Sequence, residues 1–180
     1  MSTFFREAFR NIKQTGSVAP SSRFLAAKMT QDIDFSQRLK IVELGAGQGV
    51  ITRHILHEMS SFSSLMSFEI NPYLFREIAK IEDKRFNPMM ESALRLSSFN
   101  AQNSVDFIIS SLPLANMDKH TKKEILKSCY AILKPGGLYI QFQYALNDYG
   151  LIKDHYDEIQ LGFELLNFPP AFIYYAKKAP

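Results

Sequence analysis

The sequence predicts a single α/β domain on a doubly wound, mostly parallel sheet of seven strands. Three observations carry that prediction. Apolar strand-like runs alternate with helical segments along most of the chain, and a glycine-rich turn joins the first strand to the next helix. The last two strands are separated only by Asn167, Phe168, Pro169 and Pro170, too short a link for a crossover helix, so that pair is expected to be antiparallel. The chain has 180 residues, 46% of them hydrophobic and 22% charged, which is enough apolar material for one core. These values exclude a disordered tail, a collagenous chain and a disulfide scaffold.

Element by element, residues 3–13 read as an amphipathic helix. Phe4, Phe5, Ala8, Phe9 and Ile12 recur at helical spacing with Arg6, Arg10 and Lys13 beside them. Gly16 and Pro20 make 15–22 a loop, and a second helix follows over 21–31, capped by Ser21 or Ser22. Strands are expected over 39–44, 65–70, 86–90, 105–110, 138–144, 163–166 and 172–176. Helices are expected over 49–59, 72–81 with Pro72 in the first turn, and 119–133. The turn Lys134-Pro135-Gly136-Gly137 closes the last of these. Residues 1–30 are set apart as an amphipathic helix and a ligand-covering loop and helix, with 31–180 as the main domain.

Charge is modest but lopsided. Net charge is +3, yet residues 1–28 hold five basic residues against Glu7 alone. That asymmetry suggests a negatively charged partner, either anionic lipid or nucleic acid. The one cysteine, Cys129, cannot form an internal disulfide and reads as core. No apolar run is long enough for a membrane span, and Arg6, Glu7 and Arg10 interrupt any signal-peptide core. The expectation is a cytoplasmic domain, soluble or peripherally bound.

The most informative segment is Val42-Glu43-Leu44-Gly45-Ala46-Gly47-Gln48-Gly49. A strand ends, three glycines fall within five residues, and a helix begins. Glycines there permit a tight turn and close approach of a ligand to the backbone. The spacing G-x-G-x-G differs from the dinucleotide fingerprint, and Glu43 just before it repels phosphate but suits an ammonium. A nucleoside with a cationic amino-acid tail is therefore expected. Glu69, at the end of the second strand, can accept from both hydroxyls of a ribose. Glu91 and Ser92, after the third strand, are placed to meet an adenine amine.

This combination resembles the class I S-adenosylmethionine-dependent methyltransferases, with their Rossmann-like fold. The resemblance implies S-adenosylmethionine as cofactor and no metal. It gives the methionine tail to Glu43, Gly45, Ala46, Gly47 and Gly49, and the ribose to Glu69 with Ile70 beside it. Adenine-directed members carry Asn-Pro-Pro-Tyr or Asn-Leu-Pro-Tyr after the next strand. Here Ser110, Ser111, Leu112, Pro113 and Leu114 keep only the Leu-Pro pair, so nucleobase methylation is disfavoured. Longer segments resemble bacterial phospholipid N-methyltransferases, within the wider superfamily of rRNA adenine dimethyltransferases. They are Thr15-Gly16-Ser17-Val18-Ala19-Pro20-Ser21-Ser22-Arg23-Phe24-Leu25, Phe68-Glu69-Ile70-Asn71-Pro72, Ser110 to Leu114, Leu133-Lys134-Pro135-Gly136-Gly137, Gln141-Phe142-Gln143-Tyr144 and Asn167-Phe168-Pro169-Pro170-Ala171-Phe172. Departures are Ser111 for a usual Gly and Glu91-Ser92 for a usual Gly-Asp, and the second bears on the adenine contact.

That resemblance implies methylation of phosphatidylethanolamine and its methylated forms towards phosphatidylcholine, with Ser17 and Ser110 also at the cofactor. The N-terminal helix supports a lipid substrate on separate grounds. Phe4, Phe5, Phe9 and Ile12 would enter an anionic interface flanked by Arg6, Arg10 and Lys13. For the acceptor pocket, Tyr144 is expected to hydrogen-bond the amine and attract methylated ammonium groups with its ring, with Ser110 and Ser111 as second contacts. The expected partner is an anionic membrane surface at the inner face, with no nucleic acid, no metal and a monomeric chain. Two alternatives remain at this point: an rRNA-type adenine N6-methyltransferase, and a non-catalytic cofactor-binding module.

Overall fold

A computed structural model describes residues 23–180. The expected helix over 3–13, the loop over 15–22 and Ser17 lie outside those residues. Seven strands form one sheet in the order β3-β2-β1-β4-β5-β7-β6. They are β1 (Lys40–Leu44), β2 (Ser64–Phe68), β3 (Phe86–Met89), β4 (Val105–Ser110), β5 (Leu133–Gln143), β6 (Glu158–Glu164) and β7 (Ala171–Lys177). The helices are α1 (Arg23–Thr30), α2 (Val50–Glu58), α3 (Pro72–Ile78), α4 (Leu96–Phe99), α5 (Lys119–Ile132) and α6 (Tyr149–Lys153). Strands β1 to β5 pair in parallel, whereas β7 pairs antiparallel with both β5 and β6.

Two apolar faces explain why both sides of the sheet are covered. Along each central strand consecutive side chains point to opposite faces. Val42, Ile108, Tyr139 and Tyr174 enter one buried cluster with α5. Ile41, Ile109, Ile140 and Ile173 enter another with Leu25, Ala26 and Met29 of α1 and Ile55 of α2. Strand order reverses between β1 and β4, so a crevice opens at their carboxyl ends, the usual ligand position in such sheets.

Several boundaries move for local reasons. Leu133 already pairs with Val105, so Lys134 to Gly137 lie inside β5, where the register shifts between Val105 and Phe107. Gly136 takes φ +75°, and its N–H donates to the carbonyl of Lys178 at 3.0 Å. Strand β6 runs from Glu158 to Glu164, so Leu165 and Leu166 fall in the hairpin tip and not in the predicted strand. Helix α6 and the short turn and helix over 93–99 had no sequence counterpart.

Candidate active site

Strands β1, β2 and β4 deliver their loops to one cavity of about 430 Å³, a size typical of small-molecule sites. Gly45 and Ala46 donate their N–H groups to the carbonyl of Phe68, at 2.9 and 3.2 Å, so the glycine loop continues the sheet. Gly45, Gly47 and Gly49 all have positive φ, 76°, 57° and 78°. A Cβ built on Gly47 meets no atom of the described residues within 4 Å, so among them the space above the loop is open to a ligand.

Glu69 lines the cavity and is 7% exposed. Its Oε2 accepts from the Gly47 N–H and its Oε1 from the Asn71 N–H, each at 2.8 Å. One side chain thus ties the glycine loop to the start of α3. Asn71 in turn caps that helix, its Oδ1 accepting from the N–H of Tyr73 at 2.9 Å.

Glu43 is placed differently from expectation. It is fully buried, does not line the cavity, and its Oε2 accepts from the hydroxyls of Thr52 on α2 and Ser67 on β2. Its Oε1 is buried with no hydrogen-bond partner among the described residues. Burial pushes its pKa up to about 7 against the lowering effect of the two hydroxyls. The direct ammonium contact is therefore corrected: Glu43 fastens β1, β2 and α2 together beneath the loop. Strand alternation explains this, since Glu43 shares the face of Ile41, which α2 covers.

Gly49 is also absent from the lining. A Cβ there would come within 2.9 Å of Arg53 Nη1 and 3.0 Å of Ile78, so this glycine serves packing. Ala46, Ile70, Glu91 and Ser92 do line the cavity. Ser92 Oγ accepts from the Leu94 N–H at 3.3 Å, and Glu91 pairs with Arg95 at 3.1 Å.

The opposite wall comes from β4, β5 and α5. Ser111 lines it, but Ser110 is fully buried beneath. Tyr144 does not line it; Phe142, two residues earlier on the same face of β5, does. Tyr144 packs edge-on against Phe142, with ring centroids 5.6 Å apart, and interacts with Asn167 of the hairpin. The sequence missed Leu112, Pro113, Met117, Thr121, Ile125 and Phe142 as lining residues. Thr121 and Ile125, four residues apart, share one face of α5, and Met117 lies just before that helix begins. The Leu112 carbonyl accepts from the side-chain amides of Gln141 and Gln143, at 3.1 and 3.2 Å.

Among the described residues no group of His, Cys, Asp and Glu could hold a metal ion, and no helix is long and apolar enough to cross a membrane.

Comparison with known proteins agrees with this geometry. Residues 42–139 match the family model described as a methyltransferase domain. An ornithine lipid N-methyltransferase from Singulisphaera acidiphila is 27% identical, the alignment covering 97% of this chain and 94% of that protein. A SAM-dependent methyltransferase from Aquifex aeolicus superposes with TM-score 0.69 at 15% identity, covering 93% of this chain and 97% of that one. A 1,6-didemethyltoxoflavin-N1-methyltransferase from Burkholderia thailandensis, with its acceptor and S-adenosylhomocysteine bound, gives TM-score 0.69 at 12% identity and coverages of 98% and 88%. With a family match over more than half its length and the glycine-loop cavity at the carboxyl edge of its sheet, the chain belongs to the methyltransferase domain family, as a class I enzyme using S-adenosylmethionine.

Proposed function

We propose that the enzyme methylates the amine of a membrane-lipid headgroup at the bilayer surface. The observation that carries this reading is the character of the cavity wall. Among the described residues its charged lining side chains are the carboxylates Glu69 and Glu91, with no basic one, while Leu112, Pro113, Met117, Ile125 and Phe142 make the far wall apolar. Such a slot suits a cationic donor and an amine carried on an apolar body, and it does not suit a polyanion. Near-complete alignment with a lipid N-methyltransferase supports the same class of acceptor.

The residues fit the cofactor. Each Glu69 oxygen accepts one backbone N–H, which leaves each a further lone pair for the two ribose hydroxyls. Gly45, Ala46 and Gly47 leave backbone and open space to the amino-acid tail, and Glu91, Ser92, Ile70 and Leu94 surround the position for the base. Bound there, S-adenosylmethionine supplies an electrophilic methyl group. The protein positions the acceptor nitrogen and keeps water out, the latter through Leu112, Met117 and Phe142. The Leu112 carbonyl already accepts from the Leu114 N–H at 2.8 Å and from the side-chain amides of Gln141 and Gln143. Ser111 is therefore the group proposed to accept an N–H of the neutral amine. Residues 4–13 are proposed as an amphipathic anchor through Phe4, Phe5, Phe9 and Ile12, with Arg6, Arg10 and Lys13 beside them.

The relative's name favours ornithine lipid as a second acceptor beside phosphatidylethanolamine. Methyl transfer from labelled cofactor to each lipid and to RNA, with products identified by mass, tests the proposal. Label is expected in a lipid amine. Label in RNA alone, or cofactor binding with no methylated lipid, would overturn it.

A further inference from the structure

The hairpin that ends the sheet carries a run of largely exposed apolar side chains. Leu161, Phe163, Leu165, Leu166 and Phe168 are between 44 and 71% exposed. Between residues 159 and 176 the only charged residue is Glu164, whose carboxylate accepts from the Leu166 N–H at 2.7 Å. Contiguous exposed patches of this kind mark interaction sites. Strand register fixes where the patch sits. Ala171 lies opposite Glu164, and Phe172 lies opposite Gln143 at the carboxyl end of β5. The tip over 165–170 therefore stands on the edge of the sheet that holds the cavity.

A second, independent feature lies on that edge. Helix α5 begins with Lys119 and carries His120, Lys122 and Lys123 in its first turns, with no acidic residue in the first turn. Cations at a helix N-terminus oppose the helix dipole, so helix stability does not account for them. Lys119, His120 and Lys123 are exposed. Lys122 pairs with Asp148 at 2.6 Å, and the Tyr174 hydroxyl donates to the Ala145 carbonyl at 3.1 Å. The first bond ties the basic turn, beside cavity residues Met117 and Thr121, to the loop holding exposed Leu146, and the second ties that loop to Tyr174 of β7, a strip that leads along β7 to the hairpin tip.

We propose that this strip docks on an anionic bilayer: Leu165 and Leu166 enter the interfacial zone while Lys119 and Lys123 meet lipid phosphates. An apolar tip flanked by cations is complementary to that surface, with the greasy part below the headgroups and the charges at their level. The inference deepens the lipid-acceptor reading, because docking on this edge turns the cavity mouth toward the substrate.

Vesicles of phosphatidylcholine, with and without phosphatidylglycerol, test it on the full chain. The protein has no tryptophan, so L166W supplies a unique fluorophore at the tip. Its emission should shift to the blue when phosphatidylglycerol vesicles are added. Emission already blue in buffer and unmoved by vesicles would mean that the chain itself or a second copy covers the patch, and would overturn the proposal. L165S/L166S should lower vesicle partitioning about tenfold or more, since binding scales with apolar area inserted. K119E/K123E should lose the preference for phosphatidylglycerol at low salt. Affinity for S-adenosylhomocysteine on the same samples reports that both variants are folded. Wild-type partitioning of L165S/L166S would sink the docking face. Methylation of a lipid amine in detergent by an enzyme that never binds vesicles would overturn docking while sparing the lipid-acceptor reading. Tip-dependent vesicle binding with no lipid methylated anywhere would support docking and remove the acceptor.

Discussion

Replacing Glu43 with glutamine gives a quantitative test of the buried carboxylate beneath the glycine loop. Folding raises the Glu43 pKa from 4.5 to about 7, because burial penalises the charged form more than the Thr52 and Ser67 hydroxyls favour it. Between those values the native state holds a proton that the unfolded chain has released. Stability from this group is therefore fully present below pH 4.5 and is lost as pH rises through 7. A shift of that size corresponds to about 3 kcal/mol, at ~1.4 kcal/mol per pH unit. Glutamine mimics the neutral acid: its oxygen can accept from Thr52 and Ser67, and its amide stands where the protonated oxygen would. Urea denaturation of both proteins from pH 5 to 8 isolates the effect, since all other titrations are shared. The stability of Glu43→Gln minus that of the wild type should climb with pH and level off above 7. A flat difference across that range would refute the account of Glu43 as a buried group that loses its proton near neutrality.

Three further expectations follow from the same geometry. Gly47 and Gly136 both have positive φ and open space at the Cβ position, but only Gly47 faces the cavity. Alanine should cost each about 1 kcal/mol of stability, whereas calorimetry should find cofactor affinity reduced only in Gly47→Ala; equal affinities would remove the loop from the site. Glu69→Ala removes two acceptors from backbone N–H groups and the proposed ribose contacts, so cofactor affinity should fall about 100-fold while circular dichroism stays unchanged. Arg85 donates to the carbonyls of Leu56 and Met59 at the end of α2 and to Asp83, each at 2.6 Å. Arg85→Ala should therefore cost about 2 kcal/mol in thermal unfolding without altering cofactor affinity, and a large affinity loss would show that α2 transmits strain to the loop.

Local periodicity made most of the sheet legible. The strand over 105–110 matches β4 residue for residue, because a short apolar run between polar loops has few other solutions. The glycine loop and Glu69 were readable for the same reason, since their chemistry is written in adjacent residues. What escaped depends on distant partners. Gly136 looked like the end of a helix and the start of a turn, but a carbonyl forty residues later, on Lys178, keeps it in the sheet. Glu43 could have been placed correctly: residues 41 and 43 share a strand face, and the helix after the loop must cover it. The same two-residue period separates Phe142, at the cavity, from Tyr144, one pleat farther towards the hairpin. Thr121 and Ile125 on α5, with Met117 just before it, reach the cavity only because α5 folds back over β4 and β5; the helical period marks a shared face but not what that face meets.

The far wall also bears on selectivity. Gln141 donates to the carbonyls of Leu112 and Phe142, and its Oε1 accepts from the Tyr139 hydroxyl at 2.7 Å, so the Leu112 segment is held from behind by a buried polar chain. Holding that carbonyl removes the backbone acceptor that a planar amine would otherwise use, and leucine at 114 removes the stacking ring. A wall built this way grips little and excludes much. On the proposed lipid reading, discrimination then rests on what can reach the slot at all, an amine on an apolar carrier arriving from the edge proposed to dock on the bilayer. Acceptor choice is, on that proposal, set by approach and by water exclusion, with Leu112, Met117 and Phe142 forming the wall that keeps water out.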